Sequence, residues 1–150
     1  MRSADGTVTI FGVPGASPNP GTLPRDINSS GEIVGVYSPG ENYNTRGFVR
    51  SPKGTITTFA PSGAVVTDPL SINASGEITG WYVYEGVNPP GHGFILSPGG
   101  TLTSFDFPDP TGVGTYPQTI SSSGEIAGYY LHGESDGNFV IHAFVRKPCK

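Results

Sequence analysis

Asp26-Ile27-Asn28-Ser29-Ser30-Gly31-Glu32-Ile33-Val34-Gly35 is the stretch whose reading decides the fold. It reads as two strands joined by a tight turn. Asn28 and the serines cap that turn through side-chain bonds to backbone. Gly31 supplies the positive φ that a three- or four-residue hairpin loop demands. The second strand continues as Glu-Ile-x-Gly-x-Tyr, and its internal glycine marks a place where a neighbouring backbone or ring packs close. The phrase returns as Ser71-Ile72-Asn73-Ala74-Ser75-Gly76-Glu77-Ile78-Thr79-Gly80. It returns again as Thr119-Ile120-Ser121-Ser122-Ser123-Gly124-Glu125-Ile126-Ala127-Gly128.

Two other phrases recur in step with it. A short apolar one reads Arg46-Gly47-Phe48-Val49, His92-Gly93-Phe94-Ile95 and His142-Ala143-Phe144-Val145. A Thr-rich one reads Gly6-Thr7-Val8-Thr9-Ile10-Phe11, Gly54-Thr55-Ile56-Thr57-Thr58-Phe59 and Gly100-Thr101-Leu102-Thr103-Ser104-Phe105. The first is a short strand. The second is β-branched with period two, hence another strand. Pro14, Pro52, Pro61, Pro98 and Pro108 fall between strands, where a missing donor does no harm. Helical periodicity with caps is absent. The sequence therefore predicts an all-β chain of three four-stranded repeats, at about 20–59, 65–105 and 113–147. Four short antiparallel strands in about 45 residues match a β-propeller blade. A β-prism and a β-solenoid are the competing architectures.

The phrases also resemble a known repeat. Ile-Asn-x-Ser-Gly-Glu-Ile-x-Gly followed by His-Gly-Phe or His-Ala-Phe is similar to the HAF-type extracellular repeats of bacterial proteins, over nearly the whole span from Gly6 to Val145. That resemblance implies propeller blades and an extracellular or periplasmic location. It implies nothing about activity. Arg46 departs from the pattern where the other copies have His92 and His142, and Ser121 departs where the others have Asn28 and Asn73.

The phase of the phrases predicts an assembly. If the hairpin phrase forms the first two strands, Gly-Phe the third and the Thr phrase the outer fourth, strand 6–11 has no sheet of its own and the third unit lacks its outer strand. Propellers have four to eight blades. Strand 6–11 is then expected to complete the last blade or a blade of a partner, and two copies make six blades, closed by exchange of that strand in a C2 homodimer. The competing expectations are a fragment of a longer propeller and an open three-sheet stack with an unpaired edge.

Composition excludes several classes. Eight Lys and Arg are scattered and the net charge is −4, so nucleic-acid binding is not expected. Glycine and proline make about a quarter of 150 residues, yet aromatic residues recur regularly between them, which argues against disorder. The lone Cys149 excludes a disulfide framework and reads as a tail thiol. No 18-residue apolar run exists, so no membrane helix is expected. Met1-Arg2-Ser3-Ala4-Asp5 lacks the apolar core of a signal peptide. That reads as a cytoplasmic protein, a mature form or an excised piece.

Candidate binding residues are the aromatics that follow the second-strand glycine: Tyr37 in the first copy, Trp81 and Tyr82 in the second, Tyr129 and Tyr130 in the third. They suit repeated platforms for a sugar or another planar face, as in propeller lectins, and equally suit packing between blades. His92 and His142 are expected to tie strands together by structural hydrogen bonds. Arg46 at the same position speaks against a metal, and His132 reads as a loop residue. Glu32, Glu77 and Glu125 are hairpin-rim residues or a carboxylate set at a channel mouth. Asp26, Asn28, Ser71, Asn73, Thr119 and Ser121 read as channel liners or turn caps. Gly133-Glu134-Ser135-Asp136-Gly137-Asn138 has the alternating acids of a calcium loop but lacks its sixth-place Gly and distal Glu. Neither Glu41-Asn42-Tyr43-Asn44 nor Glu85-Gly86-Val87-Asn88 repeats it. No catalytic motif is found, and neither a cofactor nor a metal is expected. The resulting expectation is a non-enzymatic binding or scaffold module with carbohydrate as the candidate ligand. The alternative is a lyase or glycoside hydrolase with its site in a central channel.

Overall fold

The computed structural model describes residues 6–40, 44–86, 91–109 and 111–148. Every regular element among them is a strand. β1 (Thr22–Ile27), β2 (Ile33–Tyr37), β3 (Arg46–Arg50) and β4 (Ile56–Phe59) form the first sheet. β5 (Ala64–Ile72), β6 (Ile78–Tyr84), β7 (His92–Leu96) and β8 (Leu102–Phe105) form the second. β9 (Gly112–Ile120), β10 (Ile126–Gly133) and β11 (Phe139–Arg146) form the third. All pairs are antiparallel and sequential, so each sheet is a meander.

One turn chemistry builds the hairpins. In the loop 28–32 the Asn28 N–H donates to Glu32 O at 3.0 Å and the Gly31 N–H to Asn28 O at 3.0 Å. The same pair of bonds recurs at 51–55, 73–77, 97–101, 121–125 and 134–138. Each loop carries a glycine at its fourth place, with φ +84° at Gly31, +82° at Gly76 and +79° at Gly124. A type I turn followed by a left-handed residue has this form, and only glycine enters that region without strain. Asn28 Oδ1 also accepts from Ser30 N and Glu32 N, and Asn73 Oδ1 from Ser75 N and Glu77 N.

Gly35, Gly80 and Gly128 sit where the sheet admits no side chain. A Cβ on each would collide with a backbone carbonyl of the preceding strand, at Leu23, Asp68 and Tyr116 respectively. The prolines Pro24, Pro69 and Pro117 lie beside these collisions, within β1, β5 and β9. The strand register slips there, between Pro24 and Asp26, between Pro69 and Ser71, and opposite Ala127–Gly128. A proline survives in a strand only at an edge or a bulge, and these are both.

Sheets join by backbone and side-chain bonds that repeat. The Thr67 N–H donates to Thr45 O, and the Thr115 N–H to Gly91 O. Asp26 Oδ2 accepts from Ile72 N at 2.9 Å, and Ser71 Oγ accepts more loosely from Ile120 N at 3.4 Å. Asn28 Nδ2 donates to Asn73 O and Asn73 Nδ2 to Ser121 O, both at 3.1 Å. The inner polar residues Asp26, Asn28, Ser71 and Asn73 are therefore turn caps and inter-sheet bonds. Arg25 adds a bidentate pair to Asp68 at 3.0 and 2.9 Å. Burial raises the Asp68 pKa, and Arg25 opposes that shift.

Phenylalanine pairs key the stack. Phe59 meets Phe94 edge-on at 6.1 Å and Phe105 meets Phe144 at 6.4 Å. Phe11 meets Phe48 in the same way at 6.2 Å. Phe11 thus lies against the first sheet as the end of an outer strand lies against the next sheet. One core cluster, with Val34, Ile72, Ile78, Tyr82 and Phe94, fills the space between the first two sheets. Another, with Val13, Ile33, Tyr37 and Phe48, lies under the N-terminal segment. β2 is covered on both faces and all five of its residues are buried.

One expectation changes. Thr7–Phe11 forms no strand: only Val8 makes a bridge, and Ile10 is 93% exposed. The third sheet has three strands, as the phase of the phrases predicts, and the pairing edge of β11 that β3 and β7 use for β4 and β8 carries no strand among the described residues. The outer edge of β11 stays unpaired among the described residues because the N-terminal segment lies against the first sheet instead, with Phe11 on Phe48. The three sheets of a single chain do not close into a ring.

Candidate functional site

The five aromatic candidates do not share one face. Strand alternation sends Tyr37, Tyr82 and Tyr130 one way and Trp81 and Tyr129 the other. Tyr37 and Tyr82 are buried. The Tyr82 ring stacks on His92 at 5.2 Å, touches Tyr84 at 5.3 Å, and its hydroxyl meets Ser104 Oγ at 2.8 Å. Burial raises its pKa. Tyr130 is half-buried between Phe107, stacked at 3.8 Å, and His142, at 5.1 Å. These three rings are packing residues in the single chain.

Trp81 and Tyr129 come together through a residue that the repeat pattern does not single out. Tyr116 on β9 meets Trp81 edge-on at 5.5 Å and stacks on Tyr129 at 5.1 Å. Tyr116 and Tyr129 are directly opposed across the β9–β10 pair. All three rings remain partly accessible. The trio therefore spans the second and third sheets. Gly91 makes room for it: a Cβ there would strike the Tyr116 ring. The signal was present in the sequence, since Tyr116 stands before the strand proline where the other copies have Leu23 and Asp68. Thr45 likewise stands where the second copy has Gly91.

His92 Nδ1 donates to Asp106 Oδ2 at 3.0 Å and so ties β7 to the segment after β8. His142 stacks instead on Tyr130. His132 is a strand residue on β10 and not a loop residue. Its Nδ1 lies 2.7 Å from Asp109 Oδ2 and 2.8 Å from Thr111 Oγ1. The hydrogen bond from His132 is the main cause that lowers Asp109 to about 2, and it raises His132 in return. Hydroxyl and carboxylate meet the same ring nitrogen. A proton relay needs one on each nitrogen, so the arrangement clamps a loop rather than activating Thr111.

The hairpin glutamates are clasps. Glu32 Oε2 accepts from Asn28 Nδ2 at 2.8 Å and from Ser30 Oγ at 3.2 Å. Glu77 Oε2 accepts from Asn73 Nδ2 at 2.7 Å, and Glu125 Oε2 from Ser123 Oγ at 3.3 Å. The acidic loop 133–138 satisfies itself, because both Asp136 oxygens accept from Asn138. Cys149, Glu41-Asn42-Tyr43 and Val87-Asn88 lie outside the described residues. A scan of family models and a search of the curated proteins find no match for the chain.

Proposed function

We propose that this chain is a non-enzymatic binding module of β-propeller type, which presents Trp81, Tyr116 and Tyr129 to a carbohydrate. The observation that carries the reading is the half-open trio of rings drawn from two sheets. The C–H face of a pyranose is apolar and positively polarised, and it lies well on the negative face of an aromatic ring. The carboxylates Asp26, Glu32, Glu77, Asp68 and Asp109 are held in turn clasps, inter-sheet bonds and an Arg or His pair, which supports binding over acid–base catalysis.

In the same reading two copies close a six-bladed ring. Strand 7–11 of one copy lies along β11 of the other, in the register that β4 and β8 use. Gly47 faces Phe59 and Arg50 faces Ile56 in the first sheet. The equivalent pairs are Ala143 with Phe11 and Arg146 with Val8. The resemblance to HAF-type repeats supports an extracellular or periplasmic setting.

Trp81 is the single tryptophan, so its emission reports the site directly. Titration with the oligosaccharides retained on a glycan array is expected to shift that emission saturably. Trp81→Ala and Tyr116→Ala are expected to lose retention. An array with no retained glycan, together with an unmoved emission, discards the carbohydrate reading.

A further inference from the structure

The grooves between sheets differ at the place two residues after the Gly-Phe phrase, which in the second copy holds a buried leucine in place of an arginine. In the first groove the Arg50 guanidinium lies 4.9 Å above the Phe11 ring. In the third, Arg146 lies 4.8 Å above Phe105. Both arginines follow the Gly-Phe or Ala-Phe phrase by two residues. In the second copy that place is Leu96, and the ring it would have covered is Phe59. The cavity there reaches about 450 Å³, against about 110 Å³ at the equivalent place beside Arg50.

Its walls suit what is missing. Phe59 and Leu96 give an apolar wall, and Ser51, Thr57 and Ser97 add hydroxyls. Glu32 brings a carboxylate whose Oε2 is committed to Asn28 and Ser30, while its Oε1 accepts no bond among the described residues. A guanidinium is planar and weakly hydrated, stacks on aromatic faces and pairs with carboxylates. We propose that the groove between the first and second sheets is a binding site for the arginine side chain of a peptide, which takes the place that Arg50 and Arg146 fill in the neighbouring grooves. This site is separate from the aromatic trio and independent of its ligand.

The test uses the full chain, amide chemical shifts, and the peptide Gly-Gly-Arg-Gly-Gly beside its Leu and Lys counterparts. The arginine peptide is expected to move the amides of Phe59, Leu96 and Ser97 saturably, and more tightly than either control. Leu96→Arg is expected to abolish the response, because the chain then supplies its own guanidinium. Glu32→Gln is expected to weaken the peptide by about two- to five-fold. Equal responses to the Arg and Leu peptides overturn the proposal. A response that survives Leu96→Arg also overturns it. Should Leu96→Arg fail to fold, unchanged affinity in Glu32→Gln overturns it instead.

Discussion

Thr67 shows how one residue type can break a bond that its equivalents make. Thr22 Oγ1 accepts from the buried Val13 N–H at 3.0 Å, and Thr115 Oγ1 accepts from Phe107 N–H at 2.8 Å. Both donors stand two residues after the outer-strand phenylalanine. In the second copy that residue is Pro61, which has no N–H. The fully buried Thr67 hydroxyl is accordingly left without a partner among the described residues. An unsatisfied buried hydroxyl is a cost that removal relieves, whereas losing an acceptor strands its donor. Thr67→Val is expected to leave stability unchanged or raise it by up to about 1 kcal/mol, and Thr22→Val to lower it by about 1 kcal/mol. Urea unfolding of the two variants side by side checks the contrast.

His132 and Asp109 give the residue scale its pH dependence. Asp109 is lowered to about 2, so its contribution to stability is present above its ordinary value and lost as pH falls toward 2. His132 is raised, so its contribution is full below its ordinary value near 6.5 and lost as pH climbs through its folded pKa. The pair therefore stabilises most between about pH 4 and pH 6.5. The Tm difference between the native chain and Asp109→Asn should be largest in that window and shrink above it. An NMR titration should place the His132 midpoint above the ordinary value and return it in Asp109→Asn.

The hairpin is the element on which the fold depends. Its turn was legible because Asn, Ser and a fourth-place Gly have local roles that no tertiary partner can change. The close approach at Gly35, Gly80 and Gly128 was legible as well, from a glycine kept inside a β-branched strand. What it approaches was not legible, since the bulge at Pro24, Pro69 and Pro117 arises only once β1, β5 and β9 take their register. Gly80→Ala is expected to destabilise the chain by about 3 kcal/mol, because the colliding atoms are backbone and cannot rotate away. Thermal unfolding by circular dichroism measures this. A change below about 1 kcal/mol would show that the strands can part at the bulge.

At the scale of the whole molecule, two unfinished features face solvent. Val8 and Ile10 are 72% and 93% exposed, and on β11 Ile141 and Val145 are 66% and 67% exposed. Apolar strand edges in water invite pairing with another chain. The proposed ring joins these two features to each other, with Phe11 already seated on Phe48. Ser121 marks the same seam: it has no amide with which to continue the Asn28–Asn73–Ser121 ladder, so the closing interface rests on strand exchange. Light scattering at micromolar concentration is expected to give twice the chain mass of 15.6 kDa. Thr9→Pro, which removes a ladder donor from an exposed segment, is expected to return the mass to a single chain while leaving the monomer's near-UV spectrum unchanged. A single-chain mass for the unaltered protein sinks the ring.

The amino-acid sequence by itself determined the strands of the three sheets, their order and the turns between them, because period-two patterning, turn caps and positive-φ glycines act over a few residues. It did not determine the state of Thr7–Phe11, whose pattern is that of a strand but whose pairing depends on a neighbour. It also marked the aromatic positions after Gly80 and Gly128. Only the tertiary structure decided which rings meet. Strand alternation and the space left by Gly91 pulled Tyr116 between Trp81 and Tyr129, while Tyr37 and Tyr82 went into the core. The empty place beside Leu96 is likewise invisible in one copy alone. It emerges when three grooves of similar build are compared, since a missing guanidinium is a gap only where Phe59 and Glu32 already surround it.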